Sequence, residues 1–164
     1  MIISLARAAG ATVWGQTGSA AKAQSIADQG AERVIVAGPG ELAGPLAELT
    51  PTVAFDPLGG AFTAPVIDAP ASGGRLVSFG TSAGAEVTFN MQQLYRKTIS
   101  LLGYGGMALP RGQRFEGLQA ALAALADGAI RVRVDEELPL HRVNEAFARL
   151  TDRGVQGKLL FALG

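Results

Sequence analysis

The chain has no cysteine, and that one absence removes disulfides, a thiolate nucleophile and cysteine-ligated zinc together. A single histidine, His141, is too few for a multi-histidine metal site. Net charge is absent as well: 14 lysines and arginines balance 14 aspartates and glutamates, so no overall field draws the protein toward nucleic acid or an anionic membrane. Its ligand must be recognised locally. No run of residues approaches the ~18 to 20 apolar positions of a membrane span. The apolar opening lacks the charged start of a signal peptide, and Arg7 interrupts it, so a soluble cytoplasmic protein is expected.

What is present is an apolar chain of 164 residues, 48% hydrophobic, enough for the core of one domain or pieces of two. A helical pattern begins at once: Ile2, Ile3, Leu5, Ala6 and Ala9 share a face and Gly10 ends it. Residues 12–15 read as a short buried strand, and Ser19 as the N-cap of a helix that closes at Gly30. Residues 33–37, 52–56, 75–80 and 99–106 read as further strands. Between them lie a short segment broken by Gly44 and Pro45, and a helix capped by Thr63 with Pro65 in its first turn. Strands alternating with helix-length segments predict right-handed crossovers and a mostly parallel sheet, an α/β protein.

Phe115, Leu118, Leu122 and Leu125 define the clearest amphipathic helix, closed by Gly128. The tail then changes character. Residues 130–135 alternate strictly, as a strand wet on one face does, followed by a helix with Val143, Ala146, Phe147 and Leu150 inward and a last strand over 158–163. That change separates 1–128 from 129–164, a segment expected to join another packing unit.

Chemistry in an open α/β sheet gathers outside the carboxyl ends of the strands. There "WGQTG", "FDPLGG", "SFGTSAG" and "LGYGG" each place glycines directly after a strand. Each can be a tight turn, or a place where backbone approaches a flat or charged ligand. Asp56, at one strand mouth, is read as capping the amides of "PLGG", because a short carboxylate favours local backbone bonds. His141 and Tyr104 have no evident partner and read as surface or packing residues, so no residue is singled out for the chemical step.

The stretches "LARAAGATVWGQTGSAAKAQSIADQGAERVIV", "FDPLGG", "GGRLVSFGTSAG", "LLGYGG" and "LPLHRVNEAFARLTDRGVQGKLL" follow one another as they do in medium-chain dehydrogenases/reductases. The chain resembles that zinc-type alcohol dehydrogenase-like superfamily, and most of all its zinc-free quinone oxidoreductase branch. The resemblance covers essentially the whole chain but only the C-terminal, cofactor-binding half of such an enzyme. It implies a Rossmann-like parallel sheet over 1–128 that lacks its first strand and glycine-rich loop. Residues 129–164 would then complete the catalytic domain. With strand order 3-2-1-4-5-6 the sheet is expected to lack its middle, and a pyrophosphate its usual amide cradle.

The resemblance also implies a nicotinamide cofactor. A carboxylate at the end of the second family strand would select NAD, whereas this chain offers Gln16, Thr17, Gly18 and Ser19 and no acid before Asp28. Lys22, one helical turn past Ser19, matches a lysine that binds the 2′-phosphate of NADP in similar enzymes; a solvated surface lysine is the alternative. A tyrosine that often lies beside the adenine is replaced by Ala37. Phe79, Gly80, Thr81 and Ser82 match the loop that passes the nicotinamide, although core packing suits Phe79 itself. Arg153 matches a phosphate-clamping arginine, and Lys158 is a second candidate.

The expected function is NADPH-dependent hydride transfer to a quinone or an α,β-unsaturated carbonyl, without metal and with negligible turnover by this chain alone. A different class of function stays open: a non-catalytic nucleotide-binding or dimerisation remnant. The resemblance implies a homodimer through the edge strand around Leu101, and an apolar edge is a template for pairing.

Overall fold

The computed structural model describes residues 1–152 and 154–163. Among the described residues, helices and strands follow in the order α1 (Ile2–Ala8), β1 (Trp14–Thr17), α2 (Ala23–Ala27), β2 (Arg33–Val36), α3 (Ala43–Ala47), β3 (Val53–Asp56) and α4 (Thr63–Asp68), then β4 (Arg75–Ser78), α5 (Met91–Arg96), β5 (Ser100–Gly103), α6 (Arg111–Ala126), β6 (Val134–Pro139), α7 (Val143–Thr151) and β7 (Lys158–Ala162). No helix among the described residues is long and apolar enough to cross a membrane.

This is an α/β fold whose Rossmann-like sheet comes in two pieces. Strand β1 pairs with β2, and β3, β4 and β5 form a separate sheet in that order. Both pairings of the three-stranded sheet are parallel, with Val53 opposite Arg75 and Arg75 opposite Ser100. That division is the one expected of the order 3-2-1-4-5-6 without its first strand. Strands β6 and β7 form a third, parallel sheet.

The chain divides into two compact units. One comprises Met1–Gly15, Ala20–Val34 and Gly117–Gly164; the other comprises Gln16–Ser19 and Ile35–Glu116. In the first, Ala31, Ile130, Leu138 and Ala146 are buried. Gly15 belongs where it is because α2 presses on β1: a Cβ there would lie 2.4 Å from Ile26 Cγ2. In the second, Leu42, Ile67 and Leu76 are fully buried and anchor the three-stranded sheet against α3 and α4.

Several local expectations are corrected. Strand β1 starts at Trp14 and runs to Thr17, two residues later than the apolar run suggests. Ser19 does not cap a long helix: a 3₁₀ turn, Ala20–Lys22, precedes the short α2, whose N-cap position is Lys22 with no side-chain bond. The hydroxyl of Thr63 is used by Asp56 rather than for capping. The alternating stretch 130–135 is not the strand. Ile130 finishes the turn after α6, its N–H donating to the Ala124 carbonyl at 3.1 Å beyond Gly128 at φ 73°, and pairing starts only at Val134. Helix α7 buries Ala146 but leaves Phe147 and Leu150 exposed, and the Phe115, Leu118, Leu122 and Leu125 stripe of α6 is exposed as well.

Candidate functional site

The strand ends of the second unit are built by backbone meeting backbone. Asp56, 3% exposed, closes β3. Its Oδ1 accepts from the amides of Leu58 at 2.8 Å and Gly59 at 3.0 Å, and its Oδ2 from the Thr63 hydroxyl at 2.5 Å. Both oxygens of this carboxylate are thus engaged, Oδ1 in holding "PLGG", the local role its short side chain favours, and Oδ2 by Thr63. The neighbouring loop after β4 is zipped onto it: Phe79 N–H donates to the Asp56 carbonyl at 3.0 Å and Ala83 N–H to the Leu58 carbonyl at 2.7 Å. Gly59 pairs with Gly84 as an isolated parallel bridge, and a Cβ on Gly80 would sit 2.3 Å from the Pro57 carbonyl oxygen. The glycines of "FDPLGG" and "SFGTSAG" therefore serve the approach of one loop to the other.

Within that arrangement Gly80 is spent on packing, and the Ser82 hydroxyl donates to the Pro57 carbonyl at 3.4 Å. Thr81 is exposed and borders a cavity of about 290 Å³, lined also by Ser78, Val87, Phe89 and Leu101 and by no charged side chain. Phe79 is 37% exposed, so it is not the core residue expected of it: β4 ends at Ser78, and the ring lies beyond the last ladder pair.

At the end of β1, Thr17 is buried, and its Oγ1 accepts from Ser19 N–H at 3.2 Å, closing a local turn. The Gln16 amide donates to the Ala37 carbonyl at 2.8 Å. Gly18, by contrast, has nothing within 4 Å of where a Cβ would be, so its backbone is open to approach.

In the first unit Lys22 stands at the start of α2 with its ammonium donating to the Val155 carbonyl at 3.3 Å. The peptide that follows is held too: Gln156 N–H donates to Asp135 Oδ1 at 3.3 Å, and Gln156 Nε2 to the Ala21 carbonyl at 3.5 Å. Asp135 Oδ2 in turn accepts from Arg149 at 3.0 Å, and Arg149 also pairs with Glu136. Lys158 opens β7, and the pKa of the Met1 amine is lowered by burial first and by the Lys158 charge second. Arg153 lies outside the described residues. The residues that hold the Lys22 partner, Asp135 and Gln156, carried no signal in the sequence, because their link to Lys22 spans more than a hundred positions.

Residues 1–127 match the model of a family described as zinc-binding dehydrogenase. Quinone oxidoreductase 1 of Escherichia coli is 32% identical over 167 residues, an alignment covering 94% of this chain and 50% of that protein. The chain therefore spans about half the length of this curated relative. The crystal structure of AibC superposes with a TM-score of 0.86 at 30% identity, covering 98% of this chain and 44% of that one. The fold is also that of Escherichia coli YhdH, solved with bound NADPH, at a TM-score of 0.82 and 20% identity, covering 99% of this chain and 50% of that one.

Proposed function

The chain belongs to the zinc-binding dehydrogenase family, and from that membership we propose that it supplies the cofactor-holding half of an NADPH-dependent oxidoreductase of the zinc-free quinone oxidoreductase type. Despite the family's name, zinc does not fit: among the described residues no three of His, Cys, Asp and Glu gather around one point, and the chain has no cysteine. The nicotinamide cofactor does fit the residues present. When bound, it supplies hydride for a quinone or an α,β-unsaturated carbonyl.

The observation that carries this reading is Lys22, a cation held by a backbone carbonyl at the start of α2, after a strand end with no carboxylate. In the first unit Lys22 is assigned to the 2′-phosphate, with Lys158 and Arg153 adding positive charge for the diphosphate; in the second, Gly18 and Ser19 are the residues assigned to the ribose. In the second unit Phe79 and Thr81 are assigned to the nicotinamide side, on a loop that Gly80 and Ser82 hold against Pro57, and the uncharged lining behind Thr81 suits a neutral acceptor.

A second reading is favoured by a separate observation. Strand β5 is the edge of its sheet and all four of its residues are exposed, with Leu101 and Leu102 each at 45%. Such an edge pairs with a second copy, which would make the chain a homodimerising module whether or not it turns over. Fluorescence titration of the chain with NADPH and NADH, beside a model-quinone assay and light scattering, separates the two. NADPH held about tenfold more tightly, with the preference erased by Lys22→Ala, supports the oxidoreductase reading. Dimers that bind neither nucleotide overturn it in favour of the second.

A further inference from the structure

We infer that Asp135 is a positioning residue that sets the preference for a 2′-phosphate through a single peptide group, an inference that rests on the reading of Lys22 above. The carbonyl that receives the Lys22 ammonium belongs to Val155, and the N–H bound by Asp135 belongs to Gln156. These are the two ends of one amide. Because a peptide unit is planar and trans, its C=O and N–H point in opposite directions, so fixing the N–H on a carboxylate aims the carbonyl. The carboxylate, the amide and the ammonium form a chain of two hydrogen bonds in which negative charge at one end and positive charge at the other polarise the dipole between them the same way.

The rest of the segment keeps that peptide in place. Gly157 is pressed on the backbone of Arg133, where a Cβ would meet the carbonyl oxygen at 2.4 Å, and Lys158 N–H donates to the same carbonyl at 2.9 Å. Asp135 is itself steadied by Arg149 on its other oxygen, and its side chain is only 19% exposed. Gln156 Nε2 reaches the Ala21 carbonyl, so the segment meets the Ala20–Lys22 turn at a second point. An effect of replacing Asp135 is expected at the phosphate.

The test is calorimetric titration of the 164-residue chain with adenosine 2′,5′-bisphosphate and, separately, adenosine 5′-monophosphate, which lacks the 2′-phosphate. Wild type is expected to favour the bisphosphate by about tenfold, and Lys22→Ala to abolish that ratio. Asp135→Ala should reduce the ratio about threefold or more while monophosphate affinity stays unchanged, and Asp135→Asn, which keeps an acceptor oxygen, should retain most of it. Gln156→Pro removes the N–H and leaves Asp135 with Arg149, so, read against Gln156→Ala, which removes only the side-chain bond to Ala21, it reports the same loss should Asp135→Ala fail to fold. If Lys22→Ala abolishes the ratio and neither Asp135→Ala nor Gln156→Pro lowers it, the inference falls while the reading of Lys22 stands. If wild type shows no preference, both fall together.

Discussion

Asp56 shows how one buried side chain can look catalytic and be structural. Its position at a strand mouth is where an acid would be placed for chemistry, yet both oxygens are turned back on two amides and a hydroxyl. Asp56→Ala leaves those donors buried without an acceptor, and chemical denaturation should show a loss of about 3 kcal/mol. Asp56→Asn, which keeps one oxygen, should cost less. Gly59 is a second residue whose identity is fixed by its surroundings: it sits at φ 69°, and a Cβ would lie 2.4 Å from the Gly84 carbonyl oxygen. Gly59→Ala should therefore destabilise by about 2 kcal/mol, read as a lowered denaturant midpoint at unchanged slope. The capping role of Asp56 was legible in the sequence because it is local; the contact of Gly59 with Gly84 was not, since it joins two loops.

Among the elements, α7 carries a group of ion pairs that joins it to β6. Arg142 at its N-cap pairs with Glu145 in the first turn and lies 3.7 Å from Glu136 of β6, while Arg149 near its end reaches Asp135 and Glu136. The hydrogen bond from Arg142 holds the Glu145 carboxyl below its ordinary range. A carboxylate lowered in the folded state stabilises fully above its unfolded value of about 4.3 and loses that contribution as pH falls through the folded value. The protection of α7 amides, taken relative to the intrinsic rate at each pH, should accordingly fall between about pH 5 and about pH 3, and Glu145→Gln should flatten that dependence. The helices also mark a limit of pattern reading. The Phe115, Leu118, Leu122 and Leu125 stripe gave α6 its type and extent, but all four side chains are exposed, because periodicity reports a face and not what covers it. Alternation over 130–135 misled in the same way, where a helix C-terminal turn claimed Ile130 before pairing could begin.

For the whole molecule, the three-stranded sheet of the second unit ends on β5, an exposed edge at the outer end of the strand order. A charge on that edge blocks pairing with another copy. Light scattering is expected to find dimers of the wild-type chain that shift toward monomer in Leu101→Lys, with the far-ultraviolet spectrum unchanged. Wild-type monomer across the accessible concentration range would remove the dimerisation reading and leave the cofactor reading untouched.

The α/β class, the order of the elements and the strands at 33–36, 53–56, 75–78 and 158–162 were set by the sequence alone, because apolar period, glycine stops and helix-length spacing are properties of neighbours along the chain. Tertiary structure alone decided that the glycines of "FDPLGG" and "SFGTSAG" lie against each other, that Phe79 stands outside the core, and that Lys22 rests on the Val155 carbonyl. Those outcomes depend on which distant backbone arrives at each residue, and a carbonyl or an amide is the same group at every position of the sequence.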